Sequence, residues 1–188
     1  MYQTSDIRNG LKIEMDGAPW IVTYFQFVKP GKGTAFTRVK LKNLLTGNVV
    51  DRTFRSGETL EEADVEEHNM QYLFNDGESW FFMNQETFEQ VPVNKAALGD
   101  QYKWLLDEMM CKVMFYKSRA VSIEVSTFVE LEVVYTEPGQ RGNTATGTTK
   151  QAELSTGASV AVPLFIEQGE FLRIDTRTGE YVERVNRK

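Results

Sequence analysis

The sequence holds little of what metal, disulfide or thiol chemistry requires. It has one cysteine, Cys111, and one histidine, His68. A single thiol cannot close an internal disulfide, and a reducing cytosol is the compartment that suits it. Structural zinc asks for about four Cys or His ligands, which this chain cannot supply. Cys111 stands in the apolar run "MMCKVMF" and reads as an inert core thiol. His68, in "EEHNM", is flanked by acids with no nucleophile pattern beside it, so a histidine-based triad could be assembled only across space. Long apolar runs are missing too. None approaches the roughly 18 residues of a membrane helix. The first twenty residues carry Asp6, Arg8, Lys12, Glu14 and Asp16, which does not fit a signal peptide. Helix signals are scarce. The best is "ALGDQYKWLLDEMM", predicted as one short helix over 97–110 with Asp100 as its N-cap.

What is present is a succession of short β-rich runs broken by turn dipeptides. Asp16-Gly17, Thr46-Gly47, Asp76-Gly77 and Thr178-Gly179 each lie between alternating segments and predict tight turns. Many short strands at this spacing predict small barrels or sandwiches. Three blocks emerge, each about the size of one five-strand barrel: residues 1–64, 65–127 and 128–188. The first runs into the acidic stretch "ETLEEADVEE", predicted as a connector. The third contains a long polar loop, 136–154, rich in Gly and Thr. A loop of that length inside a compact unit is more often functional than decorative.

Charge is unevenly spread. The chain carries a net −6, but residues 1–60 hold nine Lys/Arg against five Asp/Glu, a net of +4. Residues 61–188 hold twelve against twenty-two, a net of −10. A basic head on an acidic body is what phosphate contact calls for. Charge alone leaves chance clustering on a solvated face equally open.

The basic head centres on "VKPGKGTAF". To its left "IVTYFQFV" reads as a strand, and to its right "AFTRVKLKN" alternates. Phe36, Arg38, Lys40 and Lys42 then share one face, and Thr37, Val39 and Leu41 the other. Pro30-Gly31-Lys32-Gly33 becomes a hairpin tip that projects one primary amine. With Lys29, residues 28–42 hold five positive charges and no negative one. A Walker-type phosphate loop is excluded: Lys32 is followed by Gly33, no earlier glycine is correctly placed, and a strand follows where a helix is needed. A solvated hairpin lysine is the simpler account. The functional account is that a lysine stripped of neighbouring bulk can enter a narrow cleft or be gripped by a modifying enzyme. Lysine is also readily acylated.

Elsewhere the residues give no reaction scheme. Glu61, Glu62, Asp64, Glu66 and Glu67 lie on a stretch where neighbouring carboxylates point alternately, and read as solvated linker. Tyr72, Phe74, Trp80, Phe81, Phe82 and Phe88 could stack on bases, but are predicted as core. No metal site is expected.

Three stretches carry a resemblance. "VKPGKGTAFTRVKLKNLLTGNVV" resembles the N-terminal domain of the bacterial translation elongation factor P family. "KQAELSTGASVAVPLFIEQG", from Lys150 through Ala152, Gly157, Val160, Val162, Pro163 and Ile166 to Gly169, is similar to that family's third-domain signature. "YLFNDGESWFFMNQETFEQ" looks like its second domain. The resemblance implies an all-β fold: an SH3-like (KOW-type) N-terminal domain and two OB-fold domains, in an elongated L shape similar to tRNA. It implies a non-enzymatic factor of the cytoplasm, a monomer with no membrane contact and no cofactor. Such a factor binds the 70S ribosome between the peptidyl and exit sites and relieves stalls at consecutive prolines. Its tip lysine falls on Lys32, which the resemblance makes the bearer of a covalent adduct, of the β-lysyl type. The adduct steadies the CCA end of the peptidyl tRNA and is installed by an enzyme resembling a lysyl-tRNA synthetase. Lys29, Arg38, Lys40 and Lys42 become contacts to ribosomal RNA or tRNA. Arg141, Gly142, Asn143, Thr144 and Ala145 become the loop facing the exit site. The family's usual Gly-Asp-Thr-Ala reads Gly-Asn-Thr-Ala here, so Asn143 is a departure. Without the resemblance, a general RNA-binding or ribosome-assembly module with an unmodified Lys32 fits the same residues.

Overall fold

A computed structural model describes residues 1–139 and 148–186. The chain divides into two compact units, Met1–His68 with Val113–Ile123, and Asn69–Lys112 with Glu124–Lys188. Strands dominate, as the turn spacing predicts, and they form three antiparallel-type sheets of small size.

The first sheet has six strands. β1 (Tyr2–Gln3), β2 (Lys12–Met15), β3 (Ala18–Val28), β4 (Phe36–Asn43), β5 (Val49–Arg55) and β6 (Thr59–Glu62) lie in the order β1-β6-β2-β3-β4-β5. Asp16 and Gly17, at φ 54° and 73°, join β2 to β3 in a two-residue turn of the kind that matches strand twist. Ile7, Leu11, Ile13, Trp20, Val22, Val39, Leu41 and Leu60 form the core of this sheet. Trp20 keeps its indole satisfied by donating to the Met15 carbonyl at 3.0 Å.

The second sheet holds β7 (Val65–Asn75), β8 (Ser79–Asn84), β9 (Gln90–Asn94), β10 (Met110–Tyr116) and β11 (Arg119–Glu124), in the order β11-β10-β7-β8-β9. The third holds β12 (Phe128–Thr136), β13 (Thr149–Leu154), β14 (Ser159–Pro163), β15 (Phe171–Asp175) and β16 (Glu180–Val185), in the order β14-β13-β12-β15-β16. Alternation along β12 is strict up to Val133: Val129, Leu131 and Val133 are buried while Glu130 and Glu132 are exposed.

Four sequence expectations are corrected. The loop read over 136–154 does not extend to 154, because Thr149–Leu154 is β13, paired with β12 and β14. The helix over 97–110 is absent. A single turn, α1 (Lys95–Leu98), is followed by a 3-10 segment, Gly99–Trp104. Gly99 at φ 54° breaks the α-helical path, and the N-cap is Asn94, whose Oδ1 accepts from the Ala97 N–H at 2.9 Å, not Asp100. The acids of the stretch 58–67 are exposed, as read, but the stretch is not an unstructured connector. It supplies β6 and the start of β7, buries Leu60 and Ala63, and ties Glu67 to Lys12 at 2.8 Å. The aromatics of the second sheet are not all core. Tyr72 and Phe82 are buried, but Phe74 and Phe88 are 49 % and 69 % exposed. A pairing shift between Tyr72 and Phe74 turns Phe74 outward, where it stacks on Phe81 with ring centroids 4.7 Å apart.

No helix among the described residues is long and apolar enough to cross a membrane.

Candidate functional site

β3 and β4 are the longest paired strands of the first sheet, and their hydrogen bonding runs out to Val28 opposite Phe36. The chain between them, residues 29–35, is a seven-residue loop with Lys32 at its midpoint. Near its base β3 is exposed on both faces, from Thr23 to Phe27. At the same level its partner β4 keeps Thr37 and Val39 buried, so it is β3 that stands clear of the core. A one-residue irregularity between Val22 and Tyr24 marks where it leaves. Thr23 is the extra residue, and its hydroxyl donates to the Lys40 carbonyl at 3.2 Å. Bulges increase strand twist and re-aim what lies beyond them.

At the tip, Lys29, Gly31, Lys32, Gly33 and Thr34 are exposed and Pro30 is half-buried. Gly33 runs at φ +112°, a backbone conformation that side chains rarely adopt, so the tip needs glycine there. Among the described residues no acceptor or carboxylate holds the Lys32 ammonium.

β4 obeys the period of two read from the sequence. Thr37, Val39 and Leu41 are buried, while Arg38, Lys40 and Lys42 are exposed. Arg38 and Lys40 come together along a groove of about 310 Å³ that Tyr24, Gln26, Asp51 and Thr53 also line. The Arg38 guanidinium lies 5.5 Å from the Phe36 ring centroid, which holds it against the strand. Lys42 continues the same face, opposite Val49, beyond the groove.

Sequence reasoning missed the third strand of this surface. The register sets Arg55 opposite Phe36, Arg52 opposite Val39 and Asp51 opposite Lys40. The signal was in "VVDRTFR", but only pairing shows which strand it faces. From residue 17 to 57 the chain carries seven Lys/Arg and one acid, Asp51. None of the seven is in an ion pair among the described residues. They are therefore available to anions from outside.

The remaining candidates place no reactive centre. Cys111 is buried, and burial pushes its thiol up to about 12. His68 pairs with Glu66 at 3.1 Å and packs edge-on to Phe115. No group of three or more His, Cys, Asp or Glu among the described residues could hold a metal ion. Arg141, Gly142, Asn143, Thr144 and Ala145 lie outside the described residues.

Comparison with known proteins identifies this arrangement. Three family models match in chain order: the elongation factor P KOW-like domain over residues 3–60, the elongation factor P OB domain over 65–123, and the elongation factor P C-terminal domain over 129–184. The chain belongs to the elongation factor P family. Elongation factor P of Clostridium botulinum (strain Eklund 17B / Type B) is 51 % identical over 185 residues, covering 98 % of this chain and 100 % of that one. Elongation factor P of Coprothermobacter proteolyticus is 52 % identical over the same length and coverage. The solved structure of eukaryotic translation initiation factor 5A from Methanococcus jannaschii aligns with a TM-score of 0.53 at 18 % identity, over 66 % of this chain and 90 % of that one. At that identity the likeness is one of fold. The all-β architecture of an elongation factor P, with its KOW-like and OB-type parts, is the one the sequence led us to expect.

Proposed function

We propose that this elongation factor acts on the ribosome, between the peptidyl and exit sites, with Lys32 as its effector. The observation that carries the proposal is the tip. One exposed, unpaired ammonium stands at the midpoint of a seven-residue loop that joins β3 to β4, with β5 paired along β4 up to its base. Lys32 takes up an acyl adduct of the β-lysyl type. Its neutral Nζ attacks a carboxyl activated as an acyl-adenylate, a C–N bond forms, AMP leaves, and the amine proton passes to solvent. The enzyme that supplies the adenylate resembles a lysyl-tRNA synthetase. The lengthened arm then reaches the CCA end of the peptidyl tRNA. Arg38, Lys40 and Lys42, with Lys29 at the tip, hold RNA phosphates along the arm.

The chain supplies geometry rather than acid–base chemistry. Proline is a constrained nucleophile, and consecutive prolines position it poorly. Ordering the tRNA end removes part of the entropic barrier, and each 1.36 kcal/mol removed gives about tenfold in rate.

Two measurements test this. Protein purified from its native host should exceed the sequence mass by the adduct, with the excess on the peptide containing Lys32. The Lys32→Ala variant should melt like the parent and fail to restore synthesis through a Pro-Pro-Pro reporter. An unmodified native protein, or full rescue by Lys32→Ala, would refute the proposal and favour a general RNA-binding module.

A further inference from the structure

The two glycines that flank Lys32 are there for different reasons. Gly33 has a conformational one, its φ of +112°. Gly31 has none within the molecule. Its backbone lies outside the left-handed region, and a Cβ built there would meet nothing within 4 Å. The residue is exposed, and nothing packs against the place its side chain would take. Alanine would fit without strain, and by narrowing the unfolded ensemble would stabilise the fold. The fold therefore gains nothing from the missing side chain at position 31. Whatever uses the gap comes from outside.

From this we infer that Gly31 is a clearance position for the enzyme that acylates Lys32: the wall of that enzyme's cleft closes on the Gly31 α-carbon. The inference rests on the reading of Lys32 given above. Reach decides between the enzyme and RNA as the outside body. An unmodified lysine offers only its four-carbon stem. To bring an activated carboxyl to Nζ, the enzyme must surround that stem and come close to the loop backbone. Once the adduct has lengthened the arm, its far end meets the RNA at a greater distance from the loop. The step most sensitive to bulk beside Lys32 is thus the transfer itself, not the later contact. Gly31 is a positioning residue in this scheme and touches no reacting atom.

The test uses the full chain expressed in its native host as wild type and as Gly31→Ala. Three quantities are read: melting temperature, the rate at which Lys32 gains the added mass after induction, and rescue of the Pro-Pro-Pro reporter. Gly31→Ala should melt at or above the wild-type temperature. Its rate of modification should fall by about 10- to 200-fold, the range one carbon commands in a fitted pocket. The small modified fraction, once isolated, should rescue like wild type. A variant modified as fast as wild type overturns the inference. So does a lowered melting temperature, which would show that the fold itself uses the glycine. Full modification with failed rescue overturns it in favour of RNA as the body that needs the gap. Absence of added mass on the wild type would instead refute the underlying reading of Lys32, and this inference with it.

Discussion

Cys111 shows how a single side chain sets a measurable pH dependence. Its side chain is 3 % exposed, and its Sγ lies 4.0 Å from the Met109 carbonyl oxygen. Burial withholds solvation from the thiolate and raises the thiol from 9.0 to about 12. The unfolded chain loses this proton near pH 9 while the folded chain keeps it. Between those two values the unfolded state binds fewer protons, so stability falls as pH rises. Below pH 9 both states are protonated and the group contributes no slope. Urea midpoints of wild type and Cys111→Ala should therefore run parallel up to about pH 8.5, and wild type should lose ground above about pH 9. At pH 8 a thiol reagent should label the native protein only as fast as it opens, about a hundredfold or more below the rate for the unfolded chain. Labelling at the unfolded rate would show that the thiol is accessible and that no such pH slope should exist.

Within one element, β4 carries the division of labour that the arm depends on. Leu41 is fully buried against the core of the first sheet, and Lys40, its neighbour, points into the exposed groove. Leu41→Ala should cost about 2–5 kcal/mol of stability through lost burial and the cavity left behind. Lys40→Ala should stay within about 0.5 kcal/mol, since nothing in the described chain pairs with it. Paired urea titrations check both, and equal losses would mean the register of β4 is wrong by one residue. That register was legible in advance because period two is a local property: "AFTRVKLKN" shows it without a partner. The turns at Asp16-Gly17 and Asp76-Gly77 were legible for the same reason: Asp16, Gly17 and Gly77 take positive φ, and the Asp76 carboxylate accepts from the Glu78 and Ser79 N–H groups. The errors share the opposite character. Leu60 and Ala63 look like isolated apolar residues among acids until β1 and β2 are brought against β6. Phe74 looks like core until a bulge turns it outward. Arg55 joins the face of Arg38 and Lys40 only once β5 pairs with β4. The burial of Leu60 and Ala63 needed a contact between segments far apart in sequence, Phe74 and Arg55 needed the register of a neighbouring strand, and the helix over 97–110 failed locally, at Gly99.

Over the whole chain the charge is divided against itself, and this makes the salt response diagnostic. Residues 1–60 carry a net +4 and residues 61–188 a net −10. A partner that met the protein through its average charge would be basic, and added salt would loosen it from the acidic part. A partner rich in phosphate must instead meet the arm, where seven cations stand free against one acid. If about four phosphates are engaged, the logarithm of the affinity should fall with the logarithm of salt at a slope of roughly −3, a loss of about 60- to 100-fold between 50 and 200 mM. Replacing Arg38, Lys40 and Lys42 together by alanine should leave the fold intact and make that slope shallower by about 2, since each lost phosphate contact removes a little under one unit. Replacing three acids of β12 and β13, Glu130, Glu132 and Glu153, should leave the slope for an RNA partner unchanged. Filter binding of labelled protein to ribosomes across a salt series measures all three. If the acid replacements flatten the slope and the arm replacements do not, the surface that meets the ribosome is the acidic one, and the groove beside Arg38 and Lys40 has no part in binding.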